Sequence, residues 1–337
     1  MADDPNVPMT RKSPGQVLAR LWLRWGWLVR WGGTACGVVY VSTLIHVASV
    51  KAAFARVPLG IMVAVVAVTA ASQVVGAVRW RIAMCAYGAV TQPNLAVATR
   101  LYLIALFYNT YLPGAVGGDV VRAVATRDCF GEHGATGALA VVFVERVLGL
   151  FAVFALMFVG VLLAGESTGI EGSLRLGSMI GGAAALAALL MLPLGRRLAP
   201  YLPQPLMRLA IRLPAIVRVR DFATVTVLSL VTQLMALITG WMILAALQPG
   251  VSVADVLLIV PAALATVFLP ITVGGTGARE AVFVVLGGKL LGMTSDDAVA
   301  ASLLLWLSTL IVGAAGGALL LLGRTTKPPP SYNVTTK

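Results

Sequence analysis

Charge is scarce in this chain. Of 337 residues only 11% are Asp, Glu, Lys or Arg, thirteen of those are carboxylates, and there are two histidines. A surface that must face water cannot be built from so little, and 59% hydrophobic residues with a mean hydropathy of +0.93 exclude a soluble globular domain. The three cysteines, Cys36, Cys85 and Cys129, are far apart and odd in number, with no Cys-x-x-Cys and only His46 and His133 to assist. That argues against a disulfide framework or a metal centre and leaves them as small apolar residues. No P-loop or HExxH pattern is present, and GGTGARE (274–280) lacks the third glycine and βαβ setting of a dinucleotide fingerprint. The amino end, MADDPNVPMTRKSPG, does not read as a cleavable signal peptide.

What remains is long apolar runs. Windows of about 20 residues give six spans near 33–50, 58–78, 135–164, 176–194, 222–247 and 298–322. The net charge of +12, mostly arginine, then points to anionic lipid headgroups as partners and away from nucleic acid. LWLRWGWLVRW (21–31) interleaves four Trp with two Arg and suits an interfacial anchor. The expected organisation is a cytoplasmic N-terminal segment at 1–32, a transmembrane domain at 33–323 and a disordered, Pro-rich tail at 324–337.

One element occurs twice. LPGAVGGDVVR (112–122) and LPITVGGTGAR (269–279) agree at six of eleven positions and stand 157 residues apart (269 − 112). In each, an apolar segment (95–112 or 253–270) meets a Pro-Gly-Gly break and a shorter segment follows, so the repeat elements lie near 95–127 and 253–291. With the N-terminus inside, re-entrant hairpins at both breaks sort most Lys and Arg to the cytoplasmic face, including the cluster at 195–221 and Arg79 and Arg81. Lys51 and Arg56 are the exceptions. Three crossings between the hairpins invert the second copy. The predicted fold is an all-α polytopic membrane protein of about six spans with two broken-helix hairpins in an inverted repeat. Two unrelated Pro-Gly kinks in ordinary spans are the plainer alternative.

Glu145 and Arg146 lie inside the run ALAVVFVERVLGLFAVF, ten residues and about 15 Å beyond the start of the span at 135, at 1.5 Å per residue. A charge at that depth costs on the order of 2.5–3.5 kcal/mol, so each requires a partner on another segment; neighbours on a helix do not face each other. The breaks offer Asp119, Arg122, Arg279 and Glu280. Asp119 has an ordinary reading as N-cap of the short helix after Gly117 and Gly118. Arg122 and Arg279 each stand one turn into a half-helix freed by a Gly-Gly pair, Gly117-Gly118 or Gly274-Gly275, and are expected to meet one anion from two sides of a central cavity. An internal ion-pair network that only locks the bundle is the competing reading.

These residues carry a resemblance. FYNTYLPGAVGGDVVRA (107–123), FVERVLGL (143–150) and FLPITVGGTGARE (268–280) resemble the flippase-like transmembrane family, the membrane region of lysylphosphatidylglycerol synthases and their stand-alone relatives. The likeness extends over roughly 30–322. It implies inverted repeats with re-entrant helices and the handling of lipids across the bilayer. The family's acid-Arg step is often Asp-Arg and here is Glu145-Arg146. The large soluble domain of the aminoacylating members has no counterpart in this sequence, so aminoacyl transfer is not expected. The function expected is translocation of an anionic lipid, without enzymatic activity or cofactor, in a cell (inner) membrane with both termini cytoplasmic. An integral-membrane enzyme acting on a lipid-linked phosphate or sugar, with Glu145 or Glu280 as base, and an accessory subunit are the rivals.

Overall fold

The computed structural model describes residues 46–111, 117–164, 172–201, 218–268 and 275–322, with scattered residues between 32 and 43 and between 204 and 216. The predicted Trp/Arg anchor, residues 112–116 and 269–274 of the two repeated strings, Gly274 among them, most of the arginine-rich stretch and the tail lie outside these. Ten α-helices follow in order: α1 Val47–Arg56, α2 Leu59–Ala86, α3 Leu95–Tyr111, α4 Gly117–Ala125, α5 Gly134–Ala164, α6 Gly172–Leu198, α7 Val219–Leu247, α8 Val253–Phe268, α9 Ala278–Leu291 and α10 Ser295–Leu322. Short 3₁₀ turns at Arg127–His133 and Ala199–Tyr201 complete the described elements, and there is no strand among them.

The chain has this form because its backbone must satisfy itself where no water is available, which a helix does within one segment. Among the described residues four helices are long and apolar enough to cross a bilayer: those in Leu59–Ala86, Arg127–Ala164, Val219–Leu247 and Ser295–Leu322. They match four of the six predicted spans. The expected span at 176–194 falls inside the 27-residue α6. The one at 33–50 is interrupted at His46, whose backbone is extended (φ −109°, ψ 116°), and a new helix, α1, starts after it. Through this helix Arg56 reaches Asp297 at the start of α10. One exception to the expected charge sorting is therefore an arginine held by an acid.

Helices α2 to α5 and α7 to α10 form two successions of similar spacing: α2 and α7 begin 160 residues apart (219 − 59), α3 and α8 158 (253 − 95), and α5 and α10 161 (295 − 134). They pack reciprocally. α3 lies along α10, and α8 along α5. Both contacts are antiparallel: Gly316 and Gly313 of α10 face Leu103 and Thr110–Tyr111 of α3, and Gly160 and Gly149 of α5 face Leu257 and Phe268 of α8. Glycine is required at the tightest points, since a Cβ on Gly316 would lie 2.0 Å from the Leu103 carbonyl oxygen and one on Gly160 2.8 Å from Leu257 Cβ. Small residues of this kind let membrane helices approach backbone to backbone.

The leading helices α2 and α7 pack on each other, also antiparallel. Arg79, near the C-terminal end of α2, bonds Ser229 and Thr232 in the first half of α7, while Val65 near the other end of α2 shares a core with Ile243 and Leu244. Each succession has its own apolar core, completed by the other's leading helix. Trp80, Ala98, Ala123 and Leu148 are joined by Phe222 and Val225 of α7, and Leu244, Ile259, Phe283 and Leu304 by Val65 of α2.

Candidate functional site: an intramembrane cavity beside two arginine clusters

Between the two cores lies a cavity of about 490 Å³, lined from the middle of α2, α7 and α10, from α3 and α8 close to their breaks, and by Arg146 of α5 and Arg279 of α9. Its wall mixes apolar side chains such as Leu106, Met235 and Val267 with hydroxyl and amide groups. No Asp or Glu is among the described residues that line it.

Beside the cavity a chain of ion pairs ties the first break to its neighbours. Glu145, 3% exposed, accepts from Arg122 Nη1 at 2.9 Å and lies 3.2 Å from Arg79 Nη2. Arg122 continues to Asp119 at 2.8 Å, and the other oxygen of Asp119 accepts from Arg146 Nε at 2.6 Å. Glu145 and Arg146 thus each find a partner on the broken element, as their positions on one helix demand. The Arg122 guanidinium also lies 4.5 Å from the ring centre of Tyr102 and 5.2 Å from that of Trp80, so it is held by charge and by aromatic faces together.

Two expectations change here. Asp119 is not the N-cap: it sits within the first turn of α4 and its carboxylate serves two arginines, while Asn109 Oδ1 of α3 takes the Gly118 N–H at 2.8 Å. Gly118 is fixed by the same contact, because a Cβ there would fall 1.9 Å from the Ala105 carbonyl oxygen, whereas Gly117 has open space. The sequence ends a span at 78 and sorts Arg79 to the cytoplasmic face beyond it, yet α2 runs on to Ala86 and Arg79 is 7% exposed within it. A hydropathy window stops at an arginine. A paired arginine does not stop a helix. Its place among VVGAVRWRIAM was the available signal.

The second break is simpler. Gly275 and Gly277 hold left-handed backbone (φ 81° and 84°) that turns the chain into α9. Glu280 Oε2 accepts the Gly277 N–H at 2.6 Å, and its Oε1 accepts from Arg279 Nη2 at 2.5 Å. Arg279 Nε donates to Ser302 Oγ at 2.9 Å. Arg122 to Glu145 and Arg279 to Ser302 are both steps of 23 residues, so corresponding arginines reach corresponding positions on the helix that follows. Where the first site has a carboxylate, the second has a hydroxyl. Arg279, with a side chain 9% exposed, keeps Nη1 without a hydrogen-bond partner among the described residues, and it borders the cavity.

The sequence matches the family described as the lysylphosphatidylglycerol synthase TM region over residues 23–317. The chain belongs to that family. No curated protein matches it. As a family member it is a membrane-embedded protein related to lipid handling, and the nine predicted site residues that are described, all but Gly274, divide by geometry. Arg146 and Arg279 face the cavity. Asp119, Arg122, Glu145 and Glu280 stand behind them, not on the described lining, Gly117 and Gly118 open α4, and Gly275 lies in the turn before α9. The expected convergence of Arg122 and Arg279 on one anion is therefore not what the structure has. Arg122 is engaged on both sides by carboxylates, and Arg146 takes its place at the cavity.

Proposed function

We propose that this protein is a lipid translocase whose central cavity receives an anionic headgroup while the acyl chains stay in the bilayer. The observation that carries the reading is a cavity of about 490 Å³ at mid-length of long apolar helices, with two arginines on its wall and no carboxylate among its described lining residues. Charge is costly at that depth, and a chamber of mixed polar and apolar lining with two arginines on its wall offers an anionic headgroup a place to sit. Of the charged side chains that make up the two clusters, four are Arg (79, 122, 146, 279) and three are carboxylates (Asp119, Glu145, Glu280). The excess of one positive charge suits a phosphodiester.

Re-entrant hairpins in an inverted repeat would give the cavity access from both faces in turn. The 157-residue offset of the repeated strings, the antiparallel contact of α2 with α7 and the reciprocal pairing of α3 with α10 and α8 with α5 all support that arrangement. We place both termini in the cytoplasm of a cell with this protein in its inner membrane, on the arginine distribution. The protein acts on the lipid's position and leaves its bonds intact. Reconstitution in liposomes with a headgroup-labelled anionic phospholipid tests this: the label is expected to redistribute between leaflets with the lipid chemically unchanged by mass spectrometry. A modified lipid, or no redistribution by folded protein, refutes it.

A further inference from the structure

Arg146 differs from the other arginines of the two clusters in where it stands and in what it balances, and the difference bears on the reading that the cavity takes an anion. Arg79 and Arg122 are balanced by Glu145 and Asp119, and Arg279 by Glu280, so the excess positive charge falls to Arg146. Its side chain is 35% exposed, against 7% for Arg122 and 9% for Arg79. It lines the cavity and also donates to Asp119 Oδ2, from Nε at 2.6 Å and from Nη2 at 2.5 Å. One guanidinium therefore serves the cavity wall and the first broken element at once.

Asp119 can give up Arg146 without being stranded, because Arg122 stays on its other oxygen at 2.8 Å and is itself held by Glu145. What it gives up is a tie between α5 and α4. Ala123 is the one buried apolar side chain of α4, and Val120 and Val124 on its outer side are exposed. The helix is otherwise tied to α5 by Arg122 and to α3 by the Gly118 N–H on Asn109. A segment with so few apolar contacts opens locally at low cost.

An anion entering the cavity competes with Asp119 for Arg146. We propose that Arg146 passes from Asp119 to the bound anion, a phosphate-type group carried by a lipid or by a free ion, and that this release loosens α4, so that loading of the cavity is transmitted to the first break. A ligand moves a conformational equilibrium only by its different affinity for the two arrangements; here the difference is the carboxylate it must displace. Linkage makes the effect reciprocal, so whatever weakens the tie between Arg146 and Asp119 tightens the anion. Arg279 carries no such signal, because its carboxylate partner, Glu280, is the next residue of the same helix.

The test uses the purified full-length protein in phosphatidylcholine nanodiscs, alone, doped with phosphatidylmethanol, whose headgroup is little more than the charged phosphate, or bathed in inorganic phosphate. Amide hydrogen exchange over 117–126 of the wild-type protein is expected to quicken about fivefold with the anion, while exchange in α10 stays constant. Asp119→Asn should bind phosphatidylmethanol about fivefold tighter, and Arg146→Gln about tenfold weaker through loss of a charge-assisted contact. In the double variant Asp119→Asn should lose most of its gain. A carboxylate that only braced the site would give the opposite sign, since removing it would weaken binding. A response to the lipid and not to phosphate assigns a headgroup, and a response to phosphate a free anion; either supports the transfer. If phosphatidylmethanol binds through Arg146 yet exchange in α4 stays constant, or a folded Asp119→Asn protein binds no tighter, the transfer is overturned and the anion cavity stands. If neither anion binds the folded wild-type protein, the cavity reading falls with it.

Discussion

Replacing Glu145 by Gln isolates the ion network from everything else, because the amide keeps the shape and loses only the charge. The carboxylate is 2% exposed as a side chain and holds Arg122 at 2.9 Å and Arg79 at 3.2 Å. Its loss raises the excess charge of the two clusters from one to two and leaves two buried guanidinium groups facing one neutral amide. Removing one partner of a buried pair costs about 3–5 kcal/mol, chiefly because the remaining charge is stranded. Part of that is relieved here: Arg122 keeps Asp119, and Arg79 keeps Ser229, Thr232 and the Tyr102 hydroxyl. About 3 kcal/mol is therefore the expected loss.

The companion change Arg79→Gln removes an arginine from a carboxylate that still has Arg122, so it should cost less, about 1–2 kcal/mol. In the double variant the two losses should fall short of their sum by 1 kcal/mol or more, since Arg79 is no longer there to be stranded. Reversible denaturation in mixed micelles, followed by tryptophan fluorescence, gives all three values. Glu145→Asp should lie between wild type and Glu145→Gln. If Glu145→Gln stays within about 0.5 kcal/mol of wild type, or if the two single losses simply add, the pairing does not support the fold and the network reasoning fails.

Gly118→Ala should lose folded protein, since its Cβ would overlap the Ala105 carbonyl, whereas Gly117→Ala, with open space, should be tolerated within about 0.5 kcal/mol; size-exclusion profiles of the two compare them directly. Arg279→Lys should lower anionic-lipid affinity with little change in stability, because Lys cannot copy the fork that meets Ser302, Glu280 and a ligand at once. Arg122→Lys should instead lower stability first; equal effects of both on lipid affinity would return Arg122 to the ligand site. In a cysteine-free background, cysteines at Arg127 and at Thr294 should label from opposite faces of the membrane, and labelling from one face rules out the inverted repeat.

Much of this site was legible because membrane depth makes every charge informative. Glu145 and Arg146 could not pair with each other and could not stay alone, which sent one to Arg122 and the other to Asp119. The two breaks were legible as a repeated string. Arg79 was not, because hydropathy treats arginine as an end, and only the packing of α2 against α5 and α7 shows it to be interior. Nor was Asn109 as the cap of α4, since it lies nine residues before the N–H it accepts, across a turn whose path no local pattern gives. The role of Asp119 followed from the same gap: a residue after Gly-Gly reads as a cap until the neighbouring helix brings two arginines to it.

The difference between the two breaks has a functional direction. At corresponding positions, 23 residues after the arginine, the first has Glu145 and the second Ser302. A carboxylate commits its arginine to the scaffold; a hydroxyl bonds it and leaves the charge unneutralised. Glu280 supplies the missing negative charge from the next residue, but it also caps α9 through the Gly277 N–H, which holds it on one side of Arg279 and leaves the other side to the cavity. A protein whose two halves were equally satisfied would have no reason to bind an anion. Placing a carboxylate at the second position is the direct test. Ser302→Asp should set a second carboxylate beside Arg279 and abolish anionic-lipid binding, at a cost in stability because Glu280 Oε1, which now accepts the Ser302 hydroxyl at 3.0 Å, would face a like charge, with Ser302→Ala as the control that removes the hydroxyl and keeps the affinity within a few fold. A folded Ser302→Asp protein with wild-type lipid affinity would show that Arg279, like Arg122, belongs to the scaffold.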